Sequence, residues 1–502
     1  MTDLFVDITL PNNVTYKQPI GLFINNEFVA AKSGEFISSI NPATDEVITK
    51  VHAAGPEDVD LAVKYARGAF KAWKKFDGSD RRDLFLKLAS LVERDYDLLA
   101  AIEANDAGKP YDNNAKFDVD ETLEVIKYLA GWTDKIQGKT IPTTSKKFAY
   151  TIMEPIGVCG LITPFNYPLA MSAWKLAALA AGNCAIYKSS EYTPLSILYF
   201  VQLCKEAGFP PGVIQVLSGS GMVAGDALVK HLGVDKIAFT GSTFTARKIQ
   251  ANAAINLKPC TIEAGGKTPV LVFDDCDFEE AVAWSAVGIF SNMGQICTGS
   301  SRIYVQDTIY EKFLAALKEH VEKEYPQGMP FEDGVVVGPQ VSKVQYEKIL
   351  GYLKAGKEEG ARVILGGDVP SRPDLQKGYF IQPTIFADVQ PDFKIVQEEI
   401  FGPVVSIGVF KTEEEAIELA NNTVYGLGAS IFTKDITRAT LMAQDLESGM
   451  VWINSNNDSD IKVPFGGVKL SGHGRELGQI GVEAFMAPKS VHVNLGNNLT
   501  KL

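Results

Sequence analysis

Cysteine is scarce in this chain. Its six cysteines (159, 184, 204, 260, 276 and 297) are scattered through 502 residues, with no Cys-x-x-Cys and no Cys and His spacing suited to zinc. No metal site is expected, and a reducing compartment is the simple reading. Positive charge is also in short supply: 48 Lys and Arg face 61 Asp and Glu, a net charge of −13. Phosphate backbones need clustered cations, so no nucleic-acid partner is expected. Long apolar runs are missing too. The longest, Leu176 to Ile186, is interrupted by Gly182-Asn183 and falls short of the ~20 residues a membrane span needs, so no membrane partner is expected. The opening Met-Thr-Asp-Leu-Phe-Val-Asp has neither a basic end before an apolar block nor an Arg-rich amphipathic pattern. The expectation is cytoplasmic, with a peroxisomal alternative in the final Thr500-Lys501-Leu502, a distant relative of Ser-Lys-Leu. No internal repeat or low-complexity tract is seen.

What remains is an ordinary globular composition, 46% hydrophobic with 44 Gly and 24 Pro. At this length a single core stops growing, and two or three domains are expected. Residues 1–50 read as short strands and turns, with a hairpin turn at Asn25-Asn26. Helical periodicity follows: Val59, Leu61, Ala62, Tyr65, Ala66, Phe70 and Trp73 make one apolar face, residues 81–104 continue it, and a further helix covers 118–136. Between 156 and 245 strand and helix signals alternate: strands at 156–163, 183–188, 213–217 and 236–239, helices at 173–181, 196–208 and 221–230. That alternation predicts parallel βαβ units in a doubly wound α/β sheet, with ligands at the carboxyl ends of the strands. The dinucleotide fingerprint is absent as such; Gly219-Ser-Gly221-Met-Val-Ala-Gly225 comes nearest, with one extra residue. A second αβ segment runs from about 268 to 470.

One stretch carries the chemistry, Gly288-Ile-Phe-Ser-Asn-Met-Gly-Gln-Ile-Cys297-Thr-Gly-Ser-Ser-Arg302. It reads as a helix, with apolar Val287, Ile289, Phe290 and Met293, breaking into small polar residues around one thiol. A buried apolar Cys is the ordinary alternative. Its context favours a nucleophile. Phe-Thr-Gly-Ser-Thr (239–243), Glu-Ala-Gly-Gly-Lys (263–267), Gly-Gln-Ile-Cys (294–297), Glu-Glu-Ile-Phe-Gly-Pro (398–403) and Pro-Phe-Gly-Gly-Val-Lys-Leu-Ser-Gly (464–472) stand in one order along the chain. In that order they resemble the aldehyde dehydrogenase superfamily, and the chain looks most like its fungal cytosolic type.

The resemblance implies a variant doubly wound (Rossmann-like) cofactor domain (1–135 and 155–266), a second αβ catalytic domain (267–475) and a small protruding oligomerisation sheet (136–154 and 476–502). It implies Cys297 as the nucleophile that adds to an aldehyde, Asn166 as oxyanion donor and Glu263 as the base that activates water. It implies that NAD is held by Ile162, Thr163, Lys188, Glu191, Gly221, Gly225, Thr240, Gly241, Ser242, Glu399 and Phe401. Glu191 would accept from the ribose 2′-hydroxyl and repel the 2′-phosphate of NADP. The substrate tunnel would include Tyr167, Ala170, Trp174, Ile296, Thr298, Ser459 and Phe465, suited to short aliphatic or small aromatic aldehydes. Two departures from the usual pattern stand out, Ala264 for Leu and Phe165 for Trp. Implied partners are the aldehyde and further copies of the chain, as a homodimer or homotetramer. Two other readings use the same scaffold: a non-catalytic structural protein, and a coenzyme A-acylating dehydrogenase. The presence of Glu263 favours hydrolysis over acylation.

Overall fold

The computed structural model describes residues 4–496. An eight-stranded sheet has five parallel strands at its middle, in the spatial order Cys260–Glu263, Lys236–Thr240, Val158–Ile162, Cys184–Lys188, Ile214–Leu217. The four between Val158 and Thr240 are buried along their whole length, because helices cover both faces of the sheet and leave no polar side. Val158–Ile162 is laid down first, two strands are added on one side, and the chain then crosses over to place Lys236–Thr240 on the other. This reversal opens a crevice beyond Ile162 and Thr240, the place where open α/β sheets take ligands. The predicted doubly wound architecture is the observed one.

Antiparallel pieces close the edges of this sheet. On one side Leu22–Ile24 and Glu27–Val29 form the expected hairpin, with Asn25 and Asn26 at φ 55° and 61°, as a two-residue turn between twisted strands requires. On the other, Gly472–His473 pairs with Cys260–Glu263. This strand falls inside the 267–475 range expected to be catalytic, so the chain rejoins the first sheet before 475.

A second, seven-stranded sheet runs Arg362–Leu365, Thr384–Ala387, Val404–Phe410, Arg302–Gln306, Pro269–Val272, Gly428–Phe432, Met450–Ile453, parallel except at its first pair. A third sheet is a ribbon. Its central strand Lys147–Pro155 pairs antiparallel with Met486–Asn494 on one side and Thr140–Thr144 on the other. The C-terminal contribution starts at Met486; the segment expected from 476 first forms the helix Gly478–Glu483 and buries Phe485 in the core of the first sheet.

Several helices differ from the periodicity reading. Pro56–Trp73 buries Val59, Ala62, Ala66 and Trp73 as expected, but Val63 rather than Tyr65 completes the face, and Tyr65 is exposed. The helix expected over 118–136 is Lys116–Ala130, and the chain turns at Gly131, a poor helix former. Residues 173–181 belong to two short helices, Pro168–Trp174 and Ala177–Ala180, the first opened by proline at its first position. Among the described residues no helix is long and apolar enough to cross a membrane, and no group of three His, Cys, Asp or Glu is placed to hold a metal. Thr500-Lys501-Leu502 lies outside the described residues.

Candidate active site

The helix Phe278–Phe290, capped by Asp277, stops short of the thiol. The apolar spacing of the sequence carries a helix on to Met293; in the structure Asn292 and Met293 instead take left-handed conformations, φ 45° and 56°, and Met293 is buried from beyond the helix end. Asparagine tolerates this region because its short amide can bond nearby backbone. Here its Nδ2 donates to the carbonyl oxygens of Asn166 and Gln295, each at 3.0 Å. Asn166 reciprocates, its own Nδ2 donating to the Gln295 carbonyl at 2.9 Å. The loop carrying Cys297 is thus stapled to the loop carrying Asn166. One of the two amide hydrogens of Asn166 is engaged, and the other is available to a ligand.

The glycines between Glu263 and Lys267 are required by close approach. A Cβ on Gly266 would lie 2.5 Å from the Cys297 carbonyl oxygen, and one on Gly265 would lie 2.2 Å from a carboxylate oxygen of Glu399. The lysine of this motif does not face the thiol. Lys267 is buried and donates to the Ile395 carbonyl at 2.7 Å, tying down the turn Lys394–Gln397 just ahead of Glu399.

Glu263 ends its strand buried, with its carboxyl against Cys297. Burial foremost, with the charge of Glu476 adding to it, pushes this carboxyl up to about 8. The Cys297 thiol is pushed well above its usual value, again by burial first and then by the charge of Glu263. Glu263 opposes ionisation of the thiol, whereas the thiol pulls the carboxyl the other way and is outweighed by burial, so the resting pair is a thiol facing a carboxyl that is easily kept protonated.

Behind Glu263 lies a pair that sequence reasoning missed. Lys175 Nζ donates to Glu476 at 2.5 Å and to Thr240 Oγ1 at 2.8 Å, all three residues being buried. A lone lysine in the apolar stretch 168–181 was the available signal.

A cavity of about 1600 Å³ joins the sheet crevice to the thiol and continues to the surface beside the helix Lys116–Ala130. Its crevice half is lined by Ile162 and Thr163, Lys188 and Glu191, Gly221, Thr240 to Ser242, Glu399 and Phe401. Of the expected cofactor residues only Gly225 is not on the wall; it is buried where the turn Gly221–Gly225 passes into the helix Asp226–Lys230. Ser242 caps the helix Thr243–Ala253, its hydroxyl oxygen accepting from the Thr245 N–H at 3.3 Å and its hydroxyl lying 3.0 Å from Thr245 Oγ1, so this hydroxyl is already engaged. The Gly266 N–H donates to Glu399 at 3.1 Å.

The other half is walled by Tyr167, Trp174, Ile296, Thr298, Ser459 and Phe465. Ala170 is buried behind them and does not reach the cavity. The sequence reading missed Glu121 on this wall and Gln345, whose side chain donates to the Phe401 carbonyl at 2.7 Å and holds that residue at φ 60°.

Comparison with known proteins agrees with this geometry. The model of the aldehyde dehydrogenase family matches residues 28–491. An aldehyde dehydrogenase-like protein of Schizosaccharomyces pombe is 56% identical over 99% of both chains. The aldehyde dehydrogenase [NAD(P)+] 1 of Saccharomyces cerevisiae is 49% identical, again over 99% of both. Among solved structures, the betaine aldehyde dehydrogenase of Staphylococcus aureus in complex with NAD+ superposes with a TM-score of 0.93 at 38% identity, covering 96% of each chain. With its motifs in family order, its thiol and glutamate brought together across two sheets, and relatives matched along nearly its whole length, the chain belongs to the aldehyde dehydrogenase family.

Proposed function

We propose that the protein oxidises aldehydes to free carboxylic acids with NAD, using Cys297 as nucleophile, Asn166 as oxyanion donor and Glu263 as the base that activates water. The observation that carries this reading is the placement of Glu263 against Cys297, with Asn166 stapled to the same loop, at the inner end of a cavity that opens both to the crevice and to the surface.

The crevice fits a dinucleotide. The helix Thr243–Ala253 starts at its wall, and its first amides favour an anion such as a pyrophosphate. Glu191 offers a carboxylate suited to a ribose hydroxyl, and Gly265 leaves the room in which Glu399 sits. When bound, NAD supplies a two-electron acceptor for hydride.

The residues of the chain do the rest. Cys297 loses its proton to solvent, and its sulfur adds to the carbonyl carbon, forming a C–S bond while the carbonyl oxygen takes the electron pair. The free amide hydrogen of Asn166 and the Cys297 N–H hold that oxygen; losing one such donor typically costs about 10²–10³ in turnover. Loss of hydride leaves a thioester on Cys297. Glu263, once free of its proton, takes one from water; the water oxygen adds to the thioester carbon, and the acid leaves as the C–S bond breaks. The aromatic wall of Tyr167, Trp174 and Phe465 favours short aliphatic or small aromatic aldehydes.

Incubation with a small aldehyde and NAD is expected to yield NADH and free acid in equal amounts. A requirement for coenzyme A would contradict the role of Glu263, and failure to form NADH with a broad aldehyde panel in folded protein would contradict the function.

A further inference from the structure

A group of buried charges that the proposed chemistry does not use lies behind Tyr167. The helix Tyr96–Ala107 carries Glu103 and ends at Gly108, whose φ of 75° reverses the chain and turns Lys109 into the core. Asp118, in the first turn of the helix Lys116–Ala130, pairs with it there. Glu103 and Asp118 are 0% exposed and Lys109 is 1% exposed, so none of the three meets water. Burial foremost, with the charge of Asp118 next, pushes the Glu103 carboxyl up. It therefore holds its proton, and one cation faces one anion.

Such a pair is a poor device for stability alone. Ions withdrawn from water lose hydration that their mutual attraction barely returns, and apolar residues of the same volume often serve the fold as well or better. What apolar residues cannot supply is a charge against a ring. Lys109 Nζ stands over the ring of Tyr167, 4.0 Å from its centre. The attraction of an ammonium for the negative face of an aromatic ring is strongest where water is excluded, as it is here.

Tyr167 stands at a junction. It follows Asn166 directly, lines the cavity, and its carbonyl accepts from the Met171 N–H at 2.9 Å where the helix Pro168–Trp174 begins. Asn166 is anchored on the side of the Cys297 loop by its bonds with Asn292 and Gln295. We infer that Lys109 anchors it from the other side, as a positioning residue: the ammonium pins the Tyr167 ring, and Tyr167 sets the attitude of the Asn166 amide toward the carbonyl oxygen of the substrate. The inference rests on the roles proposed above for Cys297 and Asn166. Lys109 itself touches no reacting atom, and the cofactor half of the cavity is left as it was.

The experiment follows the NADH burst after mixing with acetaldehyde and NAD, and separately the binding of NADH by its fluorescence. Lys109→Met keeps the length of the side chain and removes its charge. It is expected to lower the burst rate at saturating acetaldehyde by about tenfold or more, because small displacements of a positioned group cost that much, while the Kd for NADH moves less than about twofold. Lys109→Arg, which returns a cation able to lie on the ring, is expected to recover most of the rate. Tyr167→Leu is expected to slow the burst by a similar factor, and adding Lys109→Met to it should take away nothing further. Unfolding temperature reports whether each variant is folded. Should Lys109→Met not fold with Asp118 left unpaired, Lys109→Met/Asp118→Leu, which strands no charge, takes its place.

A burst rate unmoved in a folded variant lacking the lysine charge, or in Tyr167→Leu, overturns the inference. An Arg variant as slow as the Met variant overturns it too. So does an undiminished loss from Lys109→Met when the ring is absent, which would assign the lysine to the packing of its helices. Failure of the wild type to form NADH with any small aldehyde would instead overturn the proposed oxidation.

Discussion

The carboxylate of Glu191 holds the ammonium of Lys188 at 2.9 Å, with the lysine side chain 4% exposed and the glutamate 37% exposed. The two close the strand Cys184–Lys188 at the crevice wall, and the carboxylate stands where a cofactor ribose is expected. A 2′-phosphate would meet like charge there, while Lys188, partly freed, could answer it. Replacing Glu191 by Ser removes the repulsion and releases the lysine. The ratio of kcat/KM for NADP over NAD is expected to rise about ten- to a hundredfold, equivalent to ~1.4 to 2.8 kcal/mol. An unmoved ratio would show that Glu191 does not face the ribose.

The pH dependence of turnover follows from the Glu263 carboxyl, pushed up to about 8 by burial. Below that value the group is mostly protonated and cannot take a proton from water, so the fraction able to act as base grows as pH rises. When hydrolysis of the thioester limits the rate, kcat is expected to climb up to about tenfold per pH unit from 6 toward 8 and then level. In Glu263→Gln the residual rate should lose this slope. A wild-type profile that falls between pH 6 and 8 would contradict the assignment of the base.

Asn292 has two functions that substitution can separate, since it occupies a left-handed conformation and also donates to Asn166 and Gln295. Asn292→Ala loses both, and the lost bonds alone are worth about 1–3 kcal/mol. Asn292→Gly recovers the backbone freedom but not the amide. Thermal unfolding should therefore show Gly more stable than Ala, while both lose kcat by about tenfold or more because the oxyanion loop is no longer stapled. Turnover recovered in the Gly variant would show that the amide bonds are dispensable.

The ribbon of Thr140–Thr144, Lys147–Pro155 and Met486–Asn494 leaves Ile141, Phe148, Ile152 and Val493 exposed, and among the described residues no further strand is added beyond either outer strand. We propose that it pairs with another copy of the chain, which removes both costs. Light scattering is expected to give a multiple of the 54.5 kDa chain mass. A monomer at micromolar concentration would contradict this.

Much of this site could be read from short strings in the sequence, because its residues sit on turns that a few glycines and polar side chains dictate locally. Glu263, Asn166, Cys297 and Glu191 are of this kind. The rest depends on contacts that no local pattern encodes. Lys175 and Glu476 meet across 301 residues, and Glu121 reaches Trp174 across 53. The fold followed the same division. Buried parallel strands announced themselves as apolar runs, whereas the end of the helix at Ala130 and the left-handed turn at Asn292 were set by a single glycine and by bonds to another loop. Gly225 lies off the cavity wall because only Gly221 of its glycine-rich string reaches the crevice.

The central claim is that carbon is carried on Cys297 and released by Glu263. The most direct measurement is intact mass and peptide mapping of Glu263→Gln after mixing with aldehyde and NAD and quenching in acid. The account predicts about one NADH per active site in a burst, with an acyl group, the aldehyde less two hydrogens, found on the peptide containing Cys297. NADH formed steadily with no acyl adduct, or an adduct on Cys260 instead, would contradict it.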